Sequence, residues 1–429
     1  MTQHKGKHVI FLGAGASATS GYPMAKRLTL LMADRRTLLD EILQSSKESG
    51  DQWEPVWFRN SVITQHLDSF QAATGPLRNG AFATVDELSR LSFGTERAAQ
   101  TRMLKKLVRF IFALYNPHHF GIAKTDYRSL IQALFGHSSR IREDISILSF
   151  NYDPYLEFSL RLAFLQRQRI NADNPEHELS LRQAITSGLE NFSDQSWLDR
   201  EGFCHLKLHG TCVFPGDPFQ QRQNPLIGPF DKLPLSAHDF FSHPSLQVRL
   251  PNLSQPPCSL QEPPILFPWE IIHESGRLLS REEFLAAVST DWQHAGLYEL
   301  FTRIWQKAKM EVQAATRISF IGLSMSPFLE PAARYLFSGK TGATQIIVAN
   351  PDNERFVNLP HPLHPRSPSG RIYKIIGELV GPEFQFLESV RAIDRKQTLG
   401  EQFAKAKEEY QPKITTYNSF SEFIEWELK

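Results

Sequence analysis

Five short apolar runs alternate with longer stretches of helical periodicity along the chain. The runs cover residues 8–12, 145–150, 205–208, 318–321 and 346–349, and each is followed by a glycine, an asparagine or a histidine. Runs that are apolar on both faces are typical of strands buried inside a parallel sheet. Because helical stretches separate them, we predict an α/β fold, a Rossmann-like parallel sheet with helices on both faces.

A helical insertion is predicted between the first two strands. The connection between them is about 130 residues long, whereas a simple strand-to-strand crossover needs far fewer. Apolar residues recur there every three or four positions, which is typical of amphipathic helices. One stripe contains Leu28, Leu31, Met32, Leu38, Leu39, Ile42 and Leu43, and another contains Met103, Leu104, Leu107, Val108, Ile111 and Leu114. We therefore predict that residues 28–140 form a helical insertion.

The rest of the chain divides into an irregular segment, a long helix and a tail. Residues 214–270 are rich in proline and poor in periodicity, so we predict an irregular insertion of the kind that often forms a wall of a site. A helix from Leu297 to Val312 leads into the fourth strand. We predict one domain over residues 1–390 and a C-terminal helical tail over 391–429, which ends in Phe420, Phe423, Ile424 and Trp426.

The composition excludes several classes of protein. Lys and Arg (47) nearly balance Asp and Glu (46), so no global field draws the chain to nucleic acid or to an anionic membrane. The three cysteines form no C-x-x-C pair and are too few for a disulfide framework, which indicates a reducing compartment, the cytoplasm. The sequence contains no run of about 18 apolar residues, so we predict no transmembrane helix.

The first strand ends in a glycine-rich turn that is suited to phosphate binding. The turn consists of Gly13, Ala14, Gly15, Ala16 and Ser17. Glycines allow the backbone to approach a pyrophosphate, and N–H groups at a helix start face its charge. A dinucleotide dehydrogenase would continue with a strand ending in Asp or Glu about 20 residues later, but residues 26–43 have a helical pattern. The turn therefore predicts phosphate binding without redox chemistry, and a turn that binds nothing is the alternative.

Polar side chains also follow the second and third strands. Asn151 and Asp153 come directly after the second strand, and His209 follows the third. Groups just past the carboxyl ends of buried strands lie where open α/β sheets bind ligands. Asn and Asp are also common turn formers, and a single histidine at a strand end is often structural. Each motif alone leaves both interpretations open.

Taken in order, the motifs resemble those of the sirtuin family over residues 8–352. They are Gly-Ala-Gly-Ala-Ser, Asn-x-Asp, Leu-His-Gly, Ile-Gly-Leu-Ser and Ala-Asn-Pro. The resemblance implies that the glycine turn holds the pyrophosphate of NAD, that Asn151 and Asp153 surround the nicotinamide ribose, and that His209 is the base. It also implies phosphate and adenosine-ribose contacts from Gly322, Ser324 and Asn350.

Two departures separate the chain from protein-deacylating sirtuins. Those enzymes carry a four-cysteine zinc module, which three dispersed cysteines cannot build. They also continue after the glycine turn with an Asp-Phe-Arg segment, where this chain has Gly21-Tyr22-Pro23. The chain resembles instead the bacterial sirtuin-like NAD hydrolases of anti-phage defence, which lack the zinc module. The resemblance implies an NAD glycohydrolase that uses NAD as a substrate and binds no zinc or other metal.

The chemistry of NAD defines the tasks of such a site. Nicotinamide leaves as a neutral base and needs no acid catalyst, so the enzyme must stabilise an oxocarbenium-like ribose and position a nucleophile. We expect Asn151 to orient the ribose or water and His209 to accept a proton from water or a ribose hydroxyl. Asp153 either stabilises the developing charge or braces the strand end. The products would be nicotinamide and ADP-ribose, linear or cyclic.

Two alternatives stay open: an NAD-dependent enzyme that transfers ADP-ribosyl or acyl groups, and a non-catalytic subunit that senses NAD or ADP-ribose. An enzyme that destroys NAD needs restraint, and the sequence contains no evident sensor, so we expect control by assembly. The expected partners are further copies of the chain in a homo-oligomer and a hexameric DNA-translocating ATPase of the HerA type, which we favour over a short Argonaute-type protein. The insertion and the aromatic tail are the candidate contact surfaces, with burial against the core as the alternative for both.

Overall fold

The computed structural model describes most of the sheet and the helices packed on it. The described residues are 6–20, 22–34, 36–38, 40, 74–75, 85–91, 98–114, 126–135, 141–153, 156, 160, 196–199, 201–211, 265–288, 297–323, 327–340, 345–349, 372, 414–417 and 423–428. Within these ranges, no helix is long and apolar enough to cross a membrane.

Six parallel strands form one sheet in the order β3-β2-β1-β4-β5-β6. The strands are β1 (Lys7–Leu12), β2 (Ile145–Ser149), β3 (Cys204–Lys207), β4 (Ala315–Ile321), β5 (Gln345–Ala349) and β6 (Ile414–Tyr417). This is the strand order of doubly wound Rossmann sheets, in which successive strands are added outward in one direction from β1 to β3 and in the opposite direction from β4 to β6. The predicted α/β fold is confirmed, and its five predicted strands are all present.

Helices cover both faces of the sheet because alternate strand residues point to opposite sides. Ile10 and Leu12 of β1 belong to one core cluster, while Val9 and Phe11 belong to the other. The first cluster packs against α1 (Ala25–Ala33), α2 (Val85–Leu91), α3 (Ala98–Leu114) and α4 (Asp126–Phe135). The second packs against α5 (Arg281–Ala287), α6 (Leu297–Ala314) and α7 (Glu330–Phe337).

The described parts of the segment 28–140 are mainly helical, as the apolar stripes predict. Helix α3 buries Leu104, Leu107, Val108 and Ile111, whose three- and four-residue spacing places them on a single face. Leu39, Ile42 and Leu43 of the first stripe lie outside the described residues. The helices of this segment therefore cover one face of the sheet, next to the turn that follows β1.

A buried ion pair joins the helical segment to the end of the proline-rich segment. Lys105 Nζ on α3 lies 2.7 Å from Glu270 Oε1, and both side chains are almost fully buried. The other carboxylate oxygen, Oε2 of Glu270, accepts a hydrogen bond from the backbone N–H of Phe267 at 2.8 Å. Residues 265–270 are thereby fixed against the insertion, and the remainder of 214–270 lies outside the described residues.

The C-terminal tail corrects one of the predictions. Residues 391–429 were expected to be helical, but Ile414–Tyr417 pair in parallel with β5 as the sixth strand. The sequence Ile-Thr-Thr-Tyr explains this, because β-branched and aromatic residues fit a pleated sheet better than a helix. Only Phe423 and the π-helical turn Ile424–Leu428 are helical among the described residues of this tail.

Part of the tail that was a candidate surface for a partner is buried in the core of the protein. Phe423 and Ile424 are fully buried in the first core cluster, where the turn Ile424–Leu428 contacts α4. A side chain buried in its own core is not accessible to a partner, so burial is the correct alternative for Phe423. Phe420 and the side chain of Trp426 lie outside the described residues.

Candidate active site

Two glycine turns meet at the carboxyl ends of β1 and β4. Gly13 N donates to Ile321 O at 2.9 Å, and Gly15 N donates to Gly322 O at 2.8 Å. Gly322 has a φ of 58°, and a Cβ added to it would lie 2.1 Å from Ala16 N. Glycine is therefore required here because two backbones touch and one of them is left-handed.

This contact changes the interpretation of the glycine turn. The N–H of Ala16 donates to Gly13 O at 2.9 Å, so the amides of Gly13, Gly15 and Ala16 are all engaged by carbonyl groups of the protein. Most of the turn belongs to the 3-10 helix Ala14–Ser20, and α1 begins only at Ala25. Pyrophosphate binding by this turn stays a prediction, and the observed reason for its glycines is backbone packing.

A hydrogen-bonded cluster centred on Ser17 lies beside this turn. Ser17 Oγ donates to Asp153 Oδ2 at 2.8 Å and accepts from Asn151 Nδ2 at 3.1 Å. The backbone N–H of Asn151 also donates to Ser149 Oγ at 3.2 Å, which fixes the turn after β2. All three cluster side chains are buried, so the structure brings together three of the residues that the motifs singled out.

Tyr127 joins this cluster from α4, and the sequence analysis missed it. Its hydroxyl lies 3.0 Å from Ser17 Oγ, and the residue is 1% exposed. In the sequence Tyr127 falls on an apolar stripe with Leu130, Ile131 and Leu134, all buried. A tyrosine on such a stripe looks like an ordinary core residue, so no local signal reveals where its hydroxyl points.

His209 lies at the end of the neighbouring strand in an aromatic surrounding. Its ring makes an edge contact with Phe150, with centroids 4.9 Å apart, and a tilted contact with Tyr152 at 5.9 Å. Leu266 N donates to the carbonyl oxygen of His209 at 3.0 Å, so the end of the proline-rich segment holds its backbone. The part of that segment which the structure describes, residues 265–270, therefore contacts the backbone of His209, and its role as a site wall stays a prediction.

Burial sets the charge state of His209. The residue is 5% exposed, and burial, together with the Lys207 ammonium, lowers its pKa from 6.5 to about 3. The imidazole is therefore neutral at physiological pH. One ring nitrogen carries a proton and the other is an acceptor, and Nε2 has no hydrogen-bond partner among the described residues.

Lys207 is a second residue that the sequence analysis missed. It is fully buried, and its ammonium donates a hydrogen bond to the carbonyl oxygen of Asp153. The contact ties the end of β3 to the Asn-x-Asp turn after β2. In the sequence Lys207 is a single cation inside an apolar run, and only the pairing of β2 with β3 shows which carbonyl it reaches.

Two buried polar atoms remain without a partner at the ends of these strands. Within the described part of the chain, neither Asn151 Oδ1 nor His209 Nε2 has a hydrogen-bond partner. A buried polar atom without a partner costs free energy, which a ligand donating a hydrogen bond recovers. The two atoms therefore indicate where the donors of a ligand, such as hydroxyl groups, would bind.

The remaining predicted site residues fall into two groups. Gly322 lies against the glycine turn, although through backbone contact alone. Ser324 and Asn350 lie outside the described residues, as do Cys212 and Cys258. Among the residues that the structure describes, no three His, Cys, Asp or Glu side chains are grouped closely enough to hold a metal ion.

The comparisons with known proteins add no relative. The chain matches no protein-family model and no curated protein sequence. The fold class and the site geometry therefore rest on the structure, and the resemblance to sirtuin-like enzymes rests on the five motifs.

The low pKa of His209 predicts how stability depends on pH. In the unfolded chain this histidine binds a proton below about pH 6.5, whereas in the folded protein it stays neutral down to about pH 3. Acidification between these values therefore lowers the free energy of unfolding. His209→Gln removes one such group. Between roughly pH 4 and 6, we expect the free energy of unfolding of this variant to fall on acidification less steeply than that of the wild type, the difference in slope being about 1.4 kcal/mol per pH unit.

Urea unfolding at a series of pH values measures this difference. His8, whose pKa is also lowered to about 3 by burial, supplies a second variant, and His8→Gln should reduce the slope by a similar amount. Wild-type and His209→Gln proteins with parallel pH profiles would show that His209 takes up its proton equally in the folded and unfolded states.

Proposed function

We propose that the protein is an NAD glycohydrolase that cleaves the bond between nicotinamide and ribose and releases nicotinamide and ADP-ribose. One observation carries the proposal. The Ser17, Asn151 and Asp153 cluster lies where β1 and β2 end, beside His209 at the end of β3, and neither Asn151 Oδ1 nor His209 Nε2 has a partner among the described residues. Oδ1 is an acceptor, and Nε2 is one in the tautomer that carries its proton on Nδ1. The ribose of NAD and an attacking water molecule supply hydroxyl donors for two such acceptors.

The overall reaction takes water and NAD to nicotinamide, ADP-ribose and a proton. The pyridinium ring leaves as neutral nicotinamide, so no acid is required, and positive charge develops on the ribose in the transition state. Asn151 orients a ribose hydroxyl or the attacking water through its free amide oxygen.

His209 fits the role of a neutral hydrogen-bond acceptor better than that of a strong base. With a pKa of about 3 it is always available to accept, but it holds a proton only weakly. The Lys207 ammonium is one cause of this low pKa, after burial, because it opposes positive charge on the ring. His209 therefore polarises the water or a ribose hydroxyl, and the proton passes on to solvent.

The contacts of Asp153 favour one of its two expected roles. Its carboxylate accepts from Ser17, and its backbone oxygen accepts from Lys207. Both contacts hold the turn after β2 in place. Asp153 therefore braces the strand end and orients Ser17.

The anti-phage role implied by the motifs requires this same reaction, because depletion of NAD follows from its hydrolysis. A non-catalytic sensor would contain the same acceptors and bind NAD without consuming it. A transferase would move the ADP-ribosyl group to an acceptor other than water. The three functions are therefore distinguished by the products.

The decisive experiment incubates the purified full-length chain with NAD and separates the products by liquid chromatography. We expect nicotinamide and ADP-ribose, linear or cyclic, in equal amounts. His209→Ala, which removes the acceptor, should abolish product formation, whereas the control His273→Ala, in a hairpin elsewhere on the second core cluster, should not. NAD that binds and stays intact would favour the sensor, and a consumption of NAD that His209→Ala leaves unchanged would remove His209 from the mechanism.

A further inference from the structure

The helical insertion contributes one residue, Tyr127, to the Ser17 cluster. Tyr127 lies on α4, and this helix contacts both the 3-10 segment Ala14–Ser20 and the turn Ile424–Leu428. The Tyr127 hydroxyl is 3.0 Å from Ser17 Oγ. A residue 110 positions away in sequence is thus part of the hydrogen-bonding around the open acceptor of Asn151.

The protons in this cluster can be assigned one by one. A serine hydroxyl has one proton to donate and two lone pairs to accept with. Ser17 donates its proton to Asp153 Oδ2, because a carboxylate only accepts, and it accepts from the Asn151 amide nitrogen. The Tyr127 hydroxyl must therefore donate into the second lone pair of Ser17.

This assignment determines which way the Asn151 amide faces. With its proton on Asp153 and one lone pair occupied by Tyr127, Ser17 Oγ offers Asn151 only an acceptor, so the amide nitrogen must face it. The amide oxygen then faces away, and Oδ1 is the atom that has no partner among the described residues. The three hydrogen bonds also prevent the Ser17 hydroxyl from rotating. If the hydroxyl rotated and pointed its proton at Asn151, the amide could flip so that its oxygen, instead of its nitrogen, faced Ser17.

We propose that Tyr127 is a positioning residue, which donates to Ser17 and thereby keeps the Asn151 amide oxygen directed at the ligand. This inference rests on the proposed NAD glycohydrolase function. It gives the helical insertion a part in the reaction, because α4 holds the tyrosine. The C-terminal turn Ile424–Leu428 packs on the same helix.

The test compares Tyr127→Phe with Tyr298→Phe. Each change removes one hydroxyl, but the Tyr298 hydroxyl donates to Leu279 O at 3.0 Å, on the opposite core cluster. We expect kcat for NAD cleavage to fall about tenfold in Tyr127→Phe, with KM within about twofold of wild type, because the amide oxygen acts mainly in the transition state. Tyr298→Phe should keep the wild-type kcat.

A double-mutant cycle with Ser17→Ala separates positioning from a general structural role. If Tyr127 acts through Ser17, adding Tyr127→Phe to Ser17→Ala should lower kcat by less than about twofold. Independent, multiplying losses would overturn the proposal, as would a full kcat in Tyr127→Phe or a rise in KM alone. A wild-type chain that does not cleave NAD would refute the proposed function. In that case the same double-mutant cycle, measured by urea unfolding, would still test the hydrogen bond between Tyr127 and Ser17. Additive losses of stability in the two single variants would show that the two hydroxyl groups do not interact, and would overturn the proposal.

Discussion

Asn151→Ala is expected to lower NAD cleavage by about 100- to 1000-fold while NAD binding weakens by less than about tenfold. The side chain holds an open acceptor at the end of β2 and donates to Ser17 with its other amide atom. An oriented dipole of this kind contributes mostly where charge develops, which is in the transition state. Steady-state kinetics for kcat, together with calorimetric titration of NAD or ADP-ribose, measures the two effects separately.

A matched amide supplies the control for this experiment. Gln313 lies on α6, and its side-chain nitrogen donates to the carbonyl oxygens of Leu336 and Ser338 on the far side of the sheet. Gln313→Ala should therefore keep both kcat and NAD affinity. If turnover and binding instead fall by the same factor in Asn151→Ala, Asn151 contributes to binding alone and the catalytic role assigned to it is wrong.

Gly322→Ala is expected to destabilise the fold by about 3 to 5 kcal/mol. The new Cβ would lie 2.1 Å from Ala16 N, in the turn after β1, and backbone cannot move aside as a flexible side chain can. The residue also has a φ of 58°, which a Cβ disfavours. Urea unfolding followed by tryptophan fluorescence gives the free energy of unfolding.

Gly339→Ala separates the two causes of this loss. Gly339 has a φ of 80°, but a Cβ there would meet nothing within 4 Å. Its substitution should therefore cost only the backbone strain, about 1 to 2 kcal/mol. If both variants lose the same free energy, the close approach of the two glycine turns contributes nothing to stability.

The sequence predicted the sheet well because buried strands are apolar on both faces. The missed strand, β6, contains Thr415 and Thr416 in a charged surrounding, so it resembles neither a buried strand nor a helix. Its assignment depends on pairing with β5, which no local pattern shows. A helical tail was predicted for this reason, and it was wrong over these residues.

The candidate site was predictable only as far as strand ends mark it. Asn151, Asp153 and His209 each follow a buried run, which marked them as candidates, and their order with the other motifs gave them their expected roles. Tyr127 and Lys207 were missed because each acts across elements that are distant in sequence, through a hydroxyl on an apolar helix and an ammonium inside an apolar strand. The glycine turn was found, but its contact with Gly322 needed the neighbouring position of β4.

The ion pair between Lys105 and Glu270 limits how this protein can be altered. Both charges are out of water, so replacing one of them leaves the other buried without that counterion, which costs far more than the pair itself contributes. Position 105 on the insertion and position 270 beside the candidate site must therefore change together, in natural divergence as in protein engineering. A helical insertion grafted from another protein would have to bring its own cation to this point, so the insertion is not an interchangeable module.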